Sequence, residues 1–269
     1  MSWDRNSGVG FHLGRVLTAL LLFGMAFGYV EAAVVVYLRA LYEPMRQRLE
    51  PGRDPGQLFP LVRLDQLEAE GPQHVRRLMT ELGREAATLV ILAAAGLAVA
   101  HNVHQWLAVF MIGFGLWDIF YYVFLKLLLD WPASLFTWDI LFLLPAPWVG
   151  PVLAPVLVSA SMIAAGVTIL QRESVLRPIL FDRLHWTFII GGGLTIAASF
   201  CWDFRNTSAG GWPNPFNWPL FALGESVGAA AFVHAALRRG RQPSGEMLQS
   251  AASANGVTIP SARAGGHPE

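Results

Sequence analysis

The sequence predicts an all-α, polytopic integral membrane protein with about six transmembrane helices plus a proline-broken half-helix. Three observations predict it. Hydrophobic residues make up 54% of the 269 positions and charged residues only 14%, whereas soluble domains carry about 25% charged residues. Apolar runs recur at spanning length, for which about 20 residues are needed. Ten tryptophans suit a chain with two headgroup regions, where an apolar ring and a polar N–H are both satisfied.

In order along the chain, residues 1–15 read as an N-terminal tail, 16–238 as the transmembrane helical domain and 239–269 as a small, polar, disordered C-terminal tail. The first span is expected over Val16–Leu38. Arg15 precedes an apolar run too long for a cleavable signal, so no cleavage is expected. The extramembrane loop 39–85 carries eight arginines and eight acids. Within it, Leu58, Phe59, Leu61, Val62 and Leu64 suggest a short interfacial helix. Pro72 after Gly71 marks a helix start, and that helix is expected to run into a second span, Ala86–Ala100. A turn at His101–Gln105 leads to a third span, Leu107–Leu129, which ends at Asp130-Trp131-Pro132.

The stretch Leu135–Leu170 is too long for one crossing and contains Pro145, Pro147, Pro151 and Pro155. Proline removes a backbone donor and clashes with the preceding helical turn. Thr137–Leu144 is therefore expected as a half-helix at the interface, with a break at Pro145–Gly150 before the fourth span. The fifth and sixth spans are expected over Trp186–Cys201 and Trp218–Leu237. Six spans put both termini on one side. Arg172, Arg177, Arg183, Arg238, Arg239 and Arg241 share that side in short segments, which makes it cytoplasmic by the positive-inside rule. The expected location is the cell inner membrane, multi-pass, with cytoplasmic termini.

Composition also excludes. Formal net charge is zero, so nothing argues for nucleic acid as a partner. Cys201 is the only cysteine, which rules out an internal disulfide and a paired-cysteine metal or redox site. No motif names a reaction, a metal or a cofactor, and all three are unknown from the sequence.

Polar groups inside the spans carry the remaining information. Let face A be the side holding the long first loop. Glu31 and Glu225 each lie about seven residues from the face-A end of their spans, roughly 10–12 Å deep; Asp118 lies a turn deeper. An ionisable group at the bilayer centre costs about 2.5–3.5 kcal/mol, so three at similar depth should point into the bundle. Gly24, Gly28 and Ala32 form a small-residue ridge beside Glu31, and Gly224 and Gly228 flank Glu225; such ridges let helices approach closely. Tyr121 and Tyr122 stand one turn beyond Asp118 as hydroxyl donors. Asp139 begins the proline-broken segment, where exposed backbone often meets substrate. Arg39, Arg84, Lys126 and Arg205 lie near face A as counter-ions, and Glu85 and Asp203 join the acidic groups there.

The candidate substrate- or ion-binding residues are thus Glu31, Asp118, Glu225 and Asp139. The leading expectation is binding or translocation of a small cation, proton or polar solute at an intramembrane acidic pocket between spans one, three and six. Carboxylates without histidine suit hard ions such as Mg²⁺ or Ca²⁺, because His101, His104, His185 and His234 fall at the opposite face, B. The alternatives are a membrane enzyme acting on a lipid or lipid-linked substrate and a non-catalytic subunit of a membrane complex. Candidate partners are the lipid bilayer, the solute itself, and another membrane protein or a second copy of the chain.

Overall fold

A computed structural model describes residues 9–54 and 56–238; the expected tail 239–269, with Arg239 and Arg241, lies outside them. The described residues are mostly helical. Six long helices, α1 (Val9–Leu49), α3 (Pro72–Val99), α4 (Val103–Leu129), α5 (Leu153–Ser174), α6 (Arg183–Phe200) and α8 (Trp218–Leu237), are joined by two short ones, α2 (Leu64–Ala69) and α7 (Phe204–Ser208), and one hairpin, β1 (Trp138–Phe142) and β2 (Trp148–Pro151).

Five of the long helices, α1, α3, α4, α5 and α8, are long and apolar enough to cross a membrane. Only 22–44% of the residues in their most apolar stretches are buried within the protein, so most of that apolar surface faces outward, as lipid-solvated helices require. At 18 residues, α6 is about 27 Å long, near the thickness of the hydrocarbon core. Its first turn carries Arg183 and His185, and it is not among the five helices that meet both the length and the apolar criterion. α6, expected as the fifth span, packs along α8.

Several expected boundaries hold for local reasons. Asn102 caps α4 by accepting from Gln105 N (2.9 Å), and Asp130 ends it in the left-handed conformation (φ 51°). Asp182 caps α6 through His185 N (3.0 Å), which satisfies one of the free donors of the first turn. Two expectations need correction in the first loop. α1 continues to Leu49, eleven residues beyond the predicted end of the span, so much of the polar loop 39–85 is helix. The segment around Leu58 and Leu61 is not helical; helix α2 begins at Leu64 instead. Pro60 lies inside that segment and removes a donor any helix there would need.

The expected half-helix at Thr137–Leu144 is not a helix. β1 and β2 pair antiparallel, with Trp138 opposite Pro151 and Asp139 opposite Gly150. The residues before Pro145 and Pro147 are pushed toward extended backbone, and eight residues ahead of such a break are too few to nucleate a stable helix. The chain turns back on itself, so 135–150 does not cross the membrane alone, as the prolines predict.

Packing alternates the helices between the two faces. Near face B, Leu13, Val16, Leu17 and Leu20 of α1 cluster with Ile169 and Leu170 of α5, Ile179 of the segment after it, and Ala235 of α8. Both described ends of the bundle thus lie at one face. Near face A, Ala32, Tyr122, Leu125, Trp131 and Val152 form a second cluster, and Ala154, Phe200 and Phe221 a third. The ridge on α1 docks on α4: a Cβ on Gly28 would lie 2.9 Å from Trp117 O. The second ridge does not meet it. Gly224 and Gly228 of α8 dock on Gly192 of α6, where an added Cβ would lie 2.7 Å from Gly224 O.

Candidate functional site

One large cavity, about 490 Å³, opens in the face-A half of the bundle. Its walls come from α1, α3, α4, α5 and α6, and the hairpin and the Leu58–Leu67 stretch close over it. The α3 helix is the looser wall. It packs on α4 and α2, whereas α1 and α5 both pack on α4. Two contacts link α3 to α1: Arg84 of α3 meets Glu31 of α1 at 2.5 Å, and Glu81 of its own helix at 2.5 Å, and the His74 ring lies 6.3 Å from that of Tyr42.

Three of the four residues singled out from the sequence line this cavity: Glu31, Asp118 and Asp139. Each is buried, and each has its own partner. Glu31 is ion-paired to Arg84. Ser159 of α5 donates to Asp118 Oδ2 at 2.8 Å. Tyr122 donates to Asp139 Oδ2 at 2.9 Å. The tyrosine expected to serve Asp118 therefore serves Asp139, because the hairpin carries Asp139 over α4 while α5 supplies Ser159. Glu85, also in the lining, accepts from the backbone N–H of Leu143 through both oxygens, at 2.9 and 3.1 Å, which fixes the hairpin to α3.

Glu225 is not in this site. The glycine ridge that was expected to draw α8 toward the other carboxylates holds it against α6 instead. Glu225 interacts with Ser161 of α5, two residues from Ser159 and so on another face of that helix. Its Oε1 is buried without a hydrogen-bond partner. The pocket lies between α1, α3, α4, α5 and α6 rather than between spans one, three and six. Asp203 is also apart, held by Asn206 and Asn214. Among the counter-ions, Arg84 alone pairs with a candidate carboxylate. Lys126 pairs with Asp130 (2.6 Å), and Arg39 lies over the Trp131 ring at 4.2 Å.

Part of the cavity lining is aromatic. Trp117, Phe142, Trp148 and Phe200 form a chain of rings with centroids 6.3, 6.1 and 6.0 Å apart. Sequence reasoning missed this, since Phe142 and Trp148 reach the site only through the hairpin. Among the described residues no three His, Cys, Asp or Glu side chains converge to hold a metal ion, so the hard-ion geometry expected of the carboxylates is not formed.

At face B, His185 Nδ1 lies 2.6 Å from Asp182 Oδ1 and His185 Nε2 lies 2.9 Å from His234 Nδ1. Arg238 braces the same aspartate at 2.8 Å. This chain ties α6 to α8. His104 stacks on Phe181 instead.

Comparison of the chain with protein-family models, with curated proteins and with solved structures finds no match.

Proposed function

We propose that the chain binds, and moves, a small cation, proton or polar solute through the acidic cavity at face A. One observation carries this reading. Six carboxylates line the cavity, Glu31, Glu43, Glu81, Glu85, Asp118 and Asp139, against three arginines, Arg39, Arg46 and Arg84. Arg84 serves Glu31 and Glu81, and Glu43 pairs with Arg53. Among the described residues Glu85, Asp118 and Asp139 have no basic side chain at bonding distance, and buried carboxylates of one sign favour a cation or a shared proton. The arginines of the short face-B segments support cytoplasmic termini and an inner-membrane location. The cavity mouth then faces away from the cytoplasm.

Reconstitution into vesicles with a trapped pH dye tests the reading. A proton or cation flux that Asp118→Asn abolishes supports it. Absence of any flux and of any cation binding by the purified chain overturns it. The lipid-enzyme reading keeps one supporting feature, the aromatic part of the cavity lining. It predicts turnover of an added lipid substrate without flux.

A further inference from the structure

The way in and the class of solute can be narrowed together, and this step rests on the acidic-cavity reading above. At about 490 Å³ the cavity falls in the range for drug-sized ligands, about 300–1,000 Å³, and far exceeds what a desolvated metal ion needs. Most of its lining residues are apolar, which suits a solute with a hydrocarbon part. Over face A it is roofed: Glu85 of α3 holds the hairpin N–H of Leu143, and β2 packs on α6.

Its sides are closed unequally. Ala154 and Val158 of α5 pack with Ile196 and Phe200 of α6, which closes that edge. Between α3 and α6 no such seam exists among the described residues. Both helices line the cavity, yet α3 packs on α4 and α2, and α6 on α8 and β2. None of the three apolar clusters includes a residue of α3. Gly193 of α6 borders this gap. Successive helix residues point about 100° apart. To one side of Gly193, Gly192 meets Gly224 and Gly228 of α8, six and ten residues from its Trp218 end, roughly 9–15 Å below face A. To the other side, Ile190 and Leu194 are 56% and 66% exposed. Gly193 itself lines the cavity, and a Cβ there would meet open space. The lining of α6 thus runs directly into its outward apolar face, at a depth where the surroundings are hydrocarbon.

We propose that the cavity opens sideways into the bilayer between α3 and α6 and takes an amphiphilic amine from the lipid phase. Its ammonium head sits beside Asp118, whose one hydrogen-bond partner among the described residues is Ser159. Its chain lies along the apolar lining and leaves past Gly193. Such a solute reaches the carboxylates without passing the roof.

The full chain is placed in phosphatidylcholine vesicles with hexadecylamine that carries a photoreactive diazirine on its chain. After irradiation, labelled residues are mapped by mass spectrometry. Adducts are expected on cavity-lining residues of α3 and α6, such as Leu78 and Ile196. Unlabelled hexadecylamine should compete, and hexadecanol, of the same length without the charge, about 10-fold less well. Asp118→Asn should weaken labelling by about 10-fold. Gly193→Trp should plug the opening and remove most of the labelling. Gly191→Trp, at a position equally open but outside the lining, should leave it unchanged. If Gly193→Trp fails to fold, Gly193→Leu carries the test. Cavity labelling that is absent, or unchanged by the plug, in vesicles that still show the flux abolished by Asp118→Asn overturns this inference alone. Equal competition by the alcohol overturns the amine head. A chain with neither cavity labelling nor flux overturns both this inference and the acidic-cavity reading.

Discussion

Breaking the Glu31–Arg84 pair should have unequal effects depending on which partner is removed. Glu31 and Arg84 side chains are 10% and 24% exposed, so the pair is neither fully wet nor fully dry. Arg84→Met leaves Glu31 with no basic partner at bonding distance, inside a span. An uncompensated charge there costs about 2.5–3.5 kcal/mol, and protonation of the carboxyl caps that cost. Partial exposure lowers it further, so about 2–3 kcal/mol is expected. Glu31→Gln leaves Arg84 with Glu81 at 2.5 Å, so only a hydrogen bond of about 1 kcal/mol is lost. Equilibrium unfolding in mixed micelles, with both single variants and the double variant, measures this as a cycle. Expected are a larger loss for Arg84→Met than for Glu31→Gln and a double variant less destabilised than the arginine single, because no charge is then left unpaired at position 31. Equal losses for the two singles, or a coupling below about 0.5 kcal/mol, would refute the argument. Glu31→Gln should also impair function more than folded yield.

Other perturbations follow from single contacts. Tyr122→Phe leaves buried Asp139 (2% exposed) without its donor, a loss of about 1–3 kcal/mol, seen as a lower unfolding midpoint in the same micelles. Gly192→Ala forces a Cβ to 2.7 Å from Gly224 O and should cost about 1–3 kcal/mol by separating α6 from α8; a cysteine cross-link between those helices should form less readily. Asp182 is held below the ordinary carboxylate range, first by the backbone N–H of His185, with His185 and Arg238 adding to it. A carboxyl with a depressed folded pKa contributes stability above its unfolded value, about 3.9, and loses it as pH falls through the folded one. Acidification below about pH 4 should therefore loosen the α6 cap, and Asp182→Ala should remove that pH dependence in hydrogen exchange at α6.

Much of the fold was legible because apolar length and helix punctuation are local signals. α8 falls on the residues expected of the sixth span, and Pro72, Asn102 and Asp130 end or start helices where their backbone preferences say. The hairpin was not legible: prolines announce a break, but whether the flanking residues pair as strands depends on what covers them. The site was half legible. Depth along a helix follows from residue counting, and that placed Glu31 and Asp118 at one level. Rotation and partner choice do not. The glycine ridge of α8 was visible, but its partner, Gly192 on a helix with its own three-glycine run, decides which way Glu225 points. Small-residue ridges tell that a helix will be approached closely and not by whom.

The attachment of α3 has a mechanical consequence. At the level of the cavity its links to the rest of the wall are an ion pair and one ring contact to α1 and a carboxylate clamp on one hairpin N–H, with packing supplied by α4. Displacing such a helix exchanges a few polar bonds and leaves the packed α1–α4–α5 slab intact. A bound solute that offers its own charge and acceptors can replace those bonds one for one. The wall is therefore able to yield sideways toward lipid while the remainder of the bundle keeps its shape.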